Sequence, residues 1–239
     1  MKIIPYSIAP EVFEKFPKFI RGVLLANGVK NCASPTELTQ LLREAEDSLR
    51  ARLTAEDLLN EPRVSAWRGA FRVLGIKPSE FRPSLEAMAR RVLNGHELPS
   101  INALVDIGNI ISLRHLISVG GHALDDITSA ISLRAASGQE QFIAFGSEEL
   151  EHPAEGEFIF AEGETVMTRR WVWRQSRHSL TELRTQVIEF NLDGLPPVEK
   201  NEILAIGEEL GELVTQFCGG ELRHYLLESE HPQAELVIV

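Results

Sequence analysis

Cysteine is nearly absent: Cys32 and Cys218 are the only two in 239 residues. They lie far apart in the chain and match no metal-ligand spacing, so the reading is free thiols in a reducing compartment, hence a cytoplasmic protein, and not a disulfide scaffold. Long hydrophobic runs are missing too. No stretch approaches the roughly 18 apolar residues that a membrane helix needs. The start, Met1-Lys2-Ile3-Ile4-Pro5, lacks the apolar centre of a secretory signal, and the chain is expected to be neither exported nor embedded in a membrane. Positive charge is in deficit, with 24 Lys and Arg against 35 Asp and Glu, a net −11. That excludes a protein that coats nucleic acid or anionic lipid with its whole surface, and any polyanion site must be local. A phosphate loop, a dinucleotide fingerprint, a Gly-x-Ser-x-Gly elbow and a His-Glu-x-x-His helix are all absent, which removes nucleotide-driven and zinc-protease chemistry. The seven histidines are scattered, and His115 with His122 lack cysteine or carboxylate partners at ligand spacing, so neither a metal nor another cofactor is expected.

What is present is a globular chain whose hydrophobic period changes along its length. Phe13 to Asn31 reads as an opening strand and turn closing on Asn27-Gly28. Ser34-Pro35-Thr36-Glu37 has the form of a capping box, in which Ser34 and Glu37 satisfy each other's amides. Leu38, Leu41, Leu42, Ala45, Leu49 and Leu53 follow at helical spacing. A second helix carries Val64, Trp67, Phe71 and Leu74 and stops at Gly75, and a third opens at Pro83-Ser84 and ends at Asn94-Gly95. Ile101 to Leu116 fits a helix, although its β-branched content is also compatible with strands. From Ile131 the period falls towards two, with runs at 131–135, 141–145, 157–161, 165–175 and 186–192, as in a meandering antiparallel sheet. A closing helix bears Ile203, Ile206, Leu210, Leu213, Val214 and Phe217, and strands at 223–227 and 236–239 finish the sheet. The expected fold is α+β, one domain over 1–239 with a helical N-terminal half packed on a mostly antiparallel β-rich half.

Charge is segregated. Residues 139–164 hold eight acids and no Lys or Arg, while residues 165–181 hold Arg169, Arg170, Arg174 and Arg177 and no acid. Residues 63–91 carry seven basic side chains against Glu80 and Glu86. Either the basic zones form a landing surface for a polyanion, or each is answered by the protein's own acids in weak surface pairs.

Three groups of residues are candidates for chemistry. In Thr168-Arg169-Arg170-Trp171-Val172-Trp173-Arg174-Gln175-Ser176, guanidinium forks and indole faces interleave, which suits holding a phosphate and stacking a base; alternatively the tryptophans are core and the arginines pair with acids. Asn109 and His122, flanked by Gly108 and Gly120-Gly121, are groups that orient water or a ribose hydroxyl beside an approachable backbone; alternatively Asn109 is an internal helix polar group and His122 sits in a solvated turn. Glu189 lies in the apolar run Val187-Ile188-Glu189-Phe190, so it either points inward and needs a donor or is the polar phase of a strand.

The string Leu98-Pro99-Ser100-Ile101-Asn102-Ala103-Leu104-Val105-Asp106-Ile107-Gly108-Asn109, then His122-Ala123-Leu124-Asp125-Asp126-Ile127, resembles the tRNA-binding and editing B3/B4 module of the phenylalanyl-tRNA synthetase beta chain. With Arg82-Pro83-Ser84-Leu85-Glu86-Ala87 and Arg170 to Ser176, the sequence is similar to freestanding B3/B4 proteins. The resemblance covers residues 60–195, leaving 1–60 as an N-terminal strand and helix extension and 196–239 as the closing helix and strands. It implies an α+β fold with a β-sandwich and a pocket that, in the synthetase, hydrolyses tyrosine wrongly esterified to phenylalanine tRNA. Asn109 matches the Asn that closes the family's Val-Asp-x-Thr-Asn segment, His122 the later pocket His, and Glu189 the acid that reads the tyrosine hydroxyl. Gly108 stands where the family has Thr, and Arg170 to Ser176 stand where the synthetase is glycine-rich. The implied function is binding of a tRNA or the aminoacyl-tRNA 3′ end with trans-editing hydrolysis. Asn109 and His122 would position water, Glu189, Trp173, Gln175 and Ser176 would hold the amino acid, and Arg170 and Arg174 would hold the terminal adenosine and its phosphate. The alternatives are a non-catalytic module for tRNA or an amino-acid-like small molecule, and a purely structural interaction protein.

Overall fold

The computed structural model describes residues 1–239. The elements run β1 (Lys2–Ile8), α1 (Pro10–Lys15), β2 (Ile20–Asn27), α2 (Thr36–Arg52), α3 (Pro62–Val73), α4 (Ser84–Leu93), α5 (Ala103–His115), β3 (Ser118–Ala123), β4 (Ile131–Ala135), β5 (Phe142–Ile143), β6 (Leu150–Glu151), β7 (Phe158–Glu162), β8 (Thr165–Arg169), β9 (Arg174–Gln175), β10 (Val187–Gly194), α6 (Lys200–Cys218), β11 (Glu221–Leu227) and β12 (Gln233–Ile238). They build a six-stranded sheet in the order β12-β1-β4-β7-β8-β9, a four-stranded sheet in the order β11-β2-β10-β3, and a small β5-β6 ribbon. Every pairing between these strands is antiparallel except β1 with β4. The fold is α+β.

The amphipathic stripes place the helices. In α2, Leu38, Leu42, Ala45 and Leu49 are buried, and the helix packs on α5. Helices α5 and α6 lie on one face of the four-stranded sheet. An added Cβ at Gly108 of α5 would touch Phe190 and Val119, and one at Gly22 of β2 would meet Ile203 of α6. The opposite face of that sheet looks at the six-stranded sheet, as the contact between the His122 and Phe160 rings at 5.1 Å shows. Strand alternation therefore sends Val119, Gly121 and Phe190 towards the helices, and Ser118, Gly120, His122, Glu189, Asn191 and Asp193 into the space between the sheets.

Three local expectations are corrected and one unforeseen strand is added. Phe13 does not open a strand: Pro10 pre-sets the first turn of α1, which ends before β2 begins at Ile20. Lys2–Ile8, unremarked in the sequence because Pro5 interrupts it, is a strand paired on both sides, so the N-terminal segment supplies a strand to each large sheet. The capping box does not form. Ser34 Oγ instead donates to Asp106 Oδ2 at 2.6 Å, joined there by Ser100 Oγ, while the Ile101 amide donates to Oδ1; a fully buried carboxylate needs these donors more than an exposed helix end does. Finally, 165–175 is not one strand. Arg170 and Trp171 adopt left-handed backbone, with φ of 46° and 65°. The turn drives the Trp171 ring into a cage of Phe16, Phe19, Trp67 and Phe158, with centroids at 4.8 to 5.8 Å.

Candidate functional site: a cleft at the open edge of the sandwich

The outer strands β3 and β9 leave one side of the sandwich open, and Gln175 bridges it. Its Nε2 donates to the carbonyls of Gly121 at 2.9 Å and Ser179 at 3.0 Å. Two hollows meet there. The outer one, about 510 Å³, lies on the helix side of β3 and is lined by Gly108 and Asn109 of α5, Gly121, Phe145, Trp173, Arg174, Gln175 and Phe190, among others. The inner one, about 80 Å³, lies between the sheets against Arg21, His122, Thr168 and Asn191, and has room for a few waters. Val119, Gly120, Trp173, Arg174 and Gln175 wall both.

The outer cleft is amphipathic. Phe190 and Trp173 give apolar surface, and Phe145 and Ile101 stand exposed at the mouth. Asn109 is half-buried, and its side-chain amide pairs with no other protein group. Arg174 is exposed and only loosely paired, 3.8 Å from Glu151. Such a space takes a ligand with an apolar part and a few polar handles.

The inner hollow is the reverse, since nearly every polar group there is committed. Arg21 grips Asp193 through two hydrogen bonds of 2.6 Å, and Trp171 Nε1 donates to the same carboxylate at 3.1 Å. Arg21 also donates to the Tyr6 hydroxyl. His122 Nδ1 lies 2.8 Å from Ser179 Oγ, and its Nε2 is 3.4 Å from Thr168 Oγ1. Burial, with the charge of Arg21 adding to it, lowers the imidazole to about 3. His122 is thus neutral at physiological pH, and its conjugate acid is too strong for it to be an efficient proton acceptor. Glu189 is fully buried; its Oε1 accepts from Asn191 Nδ2 at 3.1 Å, while Oε2 has no partner. Burial raises it to about 8 against the opposing pull of Arg21, so it is mostly protonated near neutrality.

The structure thus gathers Asn109, Trp173, Arg174 and Gln175 on the outer cleft, and places His122 behind β3 on the inner hollow. Asn109 and His122 do not share a small pocket, because α5 and the inter-sheet space lie on opposite faces of that strand. Glu189 lines neither hollow, contrary to its expected contact with an amino acid; Asn191 stands between it and the inner one. Ser176 is also withdrawn, buried with its Oγ accepting from the His178 amide. Arg170 does not join Arg174: the left-handed turn turns it to a third hollow beside Phe81 and Lys77. The basic run 165–181 is largely answered by its acidic neighbour, Arg169 by Glu151 and Glu157 and Arg177 by Glu148. Arg21, Asn191 and Asp193 were not singled out from the sequence. Their signal was the one that exposed Glu189, polar residues within apolar strands, recurring at every second position through 189, 191 and 193.

The segments that line the outer cleft fall inside one matched unit, for the sequence model of the B3/4 domain matches residues 66–219. The chain belongs to the B3/4 domain family. An N-terminal fragment of the phenylalanyl-tRNA synthetase beta-subunit from Pyrococcus horikoshii is similar in structure, with a TM-score of 0.47 and 10% identity, over 91% of this chain and 50% of that one. The B3/4 protein thus spans about half the length of that fragment. No curated protein matches the sequence. No helix of the B3/4 protein is long and apolar enough to cross a membrane.

Proposed function

We propose that this B3/4 protein binds the aminoacylated 3′ end of a tRNA, seating the aminoacyl group in the outer cleft. The observation that carries the reading is Asn109, an amide with no protein partner in a half-apolar cleft of about 510 Å³, a size that suits an amino acid with part of a nucleoside. Trp173 offers a face to a base, Arg174 a guanidinium to a phosphate, and the glycines at 108, 120 and 121 let a ligand approach the backbone. Family membership supports a module of this type, and the reading places it in the cytoplasm. The test is calorimetric titration with a non-hydrolysable amide-linked aminoacyl-adenosine. Saturable binding that weakens about tenfold in Asn109→Ala is expected, the cost of one ligand hydrogen bond. No binding, or binding indifferent to Asn109, would overturn it.

A second reading, hydrolysis of a mischarged ester, is favoured by the shared wall at Gly120 and Gln175, which brings the inner hollow and its neutral imidazole next to the ligand space. Because His122 is a poor base, such hydrolysis would rest on positioning water against an already activated ester. Amino-acid release from mischarged tRNA, lost in His122→Ala with analogue binding retained, supports it; binding without release leaves the module alone.

A further inference from the structure

We propose that a basic track leads out of the cleft along the 170–173 turn to the end of α3, and that it holds the phosphate backbone of the RNA whose 3′ end enters the cleft. This rests on the reading of the cleft as an aminoacyl-end site.

The hollows are joined by shared side chains. Trp173 walls the cleft and packs edge-on against Phe81, with centroids 5.0 Å apart. Phe81 lines the third hollow, of about 320 Å³, with Arg170 and Lys77. Gly75, Ile76 and Lys77 then pass into a shallow depression bearing Arg68 and Arg72. Arg174, Arg170, Lys77 and Arg72 therefore follow one another along a continuous surface.

Arg170 is the member that points to a ligand. Its guanidinium lies 3.5 Å from the Phe81 ring centroid and 4.5 Å from that of Trp173. No carboxylate forms an ion pair with it, and its Nη1 is buried without a hydrogen-bond partner. Leaving a buried charged donor unsatisfied is costly, and the backbone strain at φ 46° is a second cost borne at the same residue. An anion in the hollow would answer the unpaired charge of this half-buried guanidinium, and the two aromatic rings fix it in place. Arg72 is exposed and unpaired, while Lys77 has only the exposed Glu80 at 3.2 Å. Residues 63–91 hold seven bases to two acids on a chain of net −11; Arg63 is answered by Glu202, and Arg68, Arg82 and Arg90 by Glu86, so Arg72 and Lys77 carry charge left for a polyanion on this stretch. The acids lining the third hollow are partly spent: Glu157 gives both oxygens to Arg169 and Glu80 faces Lys77. Glu155 remains at the rim.

A succession of phosphates matches this spacing of single charges, and half-buried aromatics between them suit unstacked bases. The test is fluorescence anisotropy with end-labelled, deacylated bulk tRNA over a salt series, using Arg72→Ala, Lys77→Ala and the double variant, whose side chains are exposed and hold no core contact. Each single variant should bind three- to tenfold more weakly and lower the log–log salt slope by about 0.7 to 0.9, one phosphate contact. Glu155→Gln should tighten binding. Arg170→Lys, which keeps the charge but loses the planar fork, should weaken it further than either single variant. Unchanged affinity and slope in the double variant, with aminoacyl-adenosine still bound, would overturn the track and leave the cleft reading standing. Failure of the analogue itself would instead count against the cleft. A polyglutamate peptide competing as well as tRNA would overturn the assignment to a nucleic acid.

Discussion

The two faces of strand β3 carry polar groups of similar kind and opposite status. On the helix side, Asn109 has no protein partner and Arg174 is only loosely held. Between the sheets, Arg21, Asp193 and Trp171 are knitted together, His122 is held by Ser179, and only Glu189 Oε2 and the space beside Asn191 are left over. The difference separates structural polarity from available polarity. A buried group that has found its donors holds the sandwich together, whereas a group kept unsatisfied beside a cavity has a free-energy reason to take a ligand. On this criterion the residues that look most catalytic by type, His122 and Glu189, are the less available ones.

The sharpest way to break this contrast is to cut the inner network. Asp193→Ala leaves Arg21, 1% exposed at its side chain, as an uncompensated buried charge, which typically costs about 3–5 kcal/mol. Asn109→Ala should change stability by less than about 0.5 kcal/mol, because it removes no hydrogen bond within the protein. Urea unfolding of the two variants measures both. A loss below about 1 kcal/mol for Asp193→Ala would mean that the inter-sheet space is wetter and looser than a closed network allows.

Proton linkage sharpens the same contrast. Glu189 titrates near 8 in the folded protein, above its ordinary carboxylate value, so its contribution is fully present below about pH 4.5 and is lost as pH rises through 8. His122, lowered to about 3, contributes in the other sense: stability is full above about pH 6.5 and is lost as pH falls towards 3. The two dependences offset one another between about pH 4.5 and 6.5, and above 6.5 only Glu189 remains. Stability should therefore fall by about 2 kcal/mol from pH 6.5 to 8. In Glu189→Gln, which keeps the hydrogen bond with Asn191 but cannot ionise, this fall should vanish. A wild-type profile already flat over that interval would show that Glu189 is ionised in the fold and finds a partner for Oε2.

How far the sequence foretold this arrangement depends on whether the cause of each feature is local. Helices α2 to α6 were legible because their apolar stripes face a neighbour and the periodicity survives without knowledge of that neighbour. Strand β3 was not. Ser-Val-Gly-Gly-His-Ala has little intrinsic strand preference and is extended because it pairs with β10 over six residues. Left-handed backbone at Arg170 and Trp171 was equally hidden, since nothing local favours it at such side chains; the Trp171 cage imposes it. The same split runs through the site. Asn109, Trp173, Arg174 and Gln175 were named from residue type and meet on the cleft. Arg170 was misdirected by the unseen turn, and Glu189 by an alternation that says inside or outside but not which of two interiors.

The glycines on either side of β3 give the smallest and most local test. A Cβ at Gly120 would stand 2.7 Å from Asn191 Oδ1 and 3.0 Å from its Nδ2, and that amide is held in place by Glu189. It has little freedom to withdraw, so Gly120→Ala should cost about 1–3 kcal/mol as overpacking. A Cβ at Gly108 meets Phe190 at 3.5 Å and Val119 at 3.7 Å, ordinary contact distances. In the middle of α5, alanine also recovers about 1 kcal/mol of helix propensity, so Gly108→Ala should be neutral or stabilising while trimming the cleft beside Asn109. If the committed face of β3 is rigid and the helix face is built to accept a guest, thermal melts should shift downward for the first variant alone, and analogue affinity should drop in the second without loss of stability. Equal melting shifts in both would mean that the two faces are packed to the same tolerance and that the free amide of Asn109 is an accident of the surface.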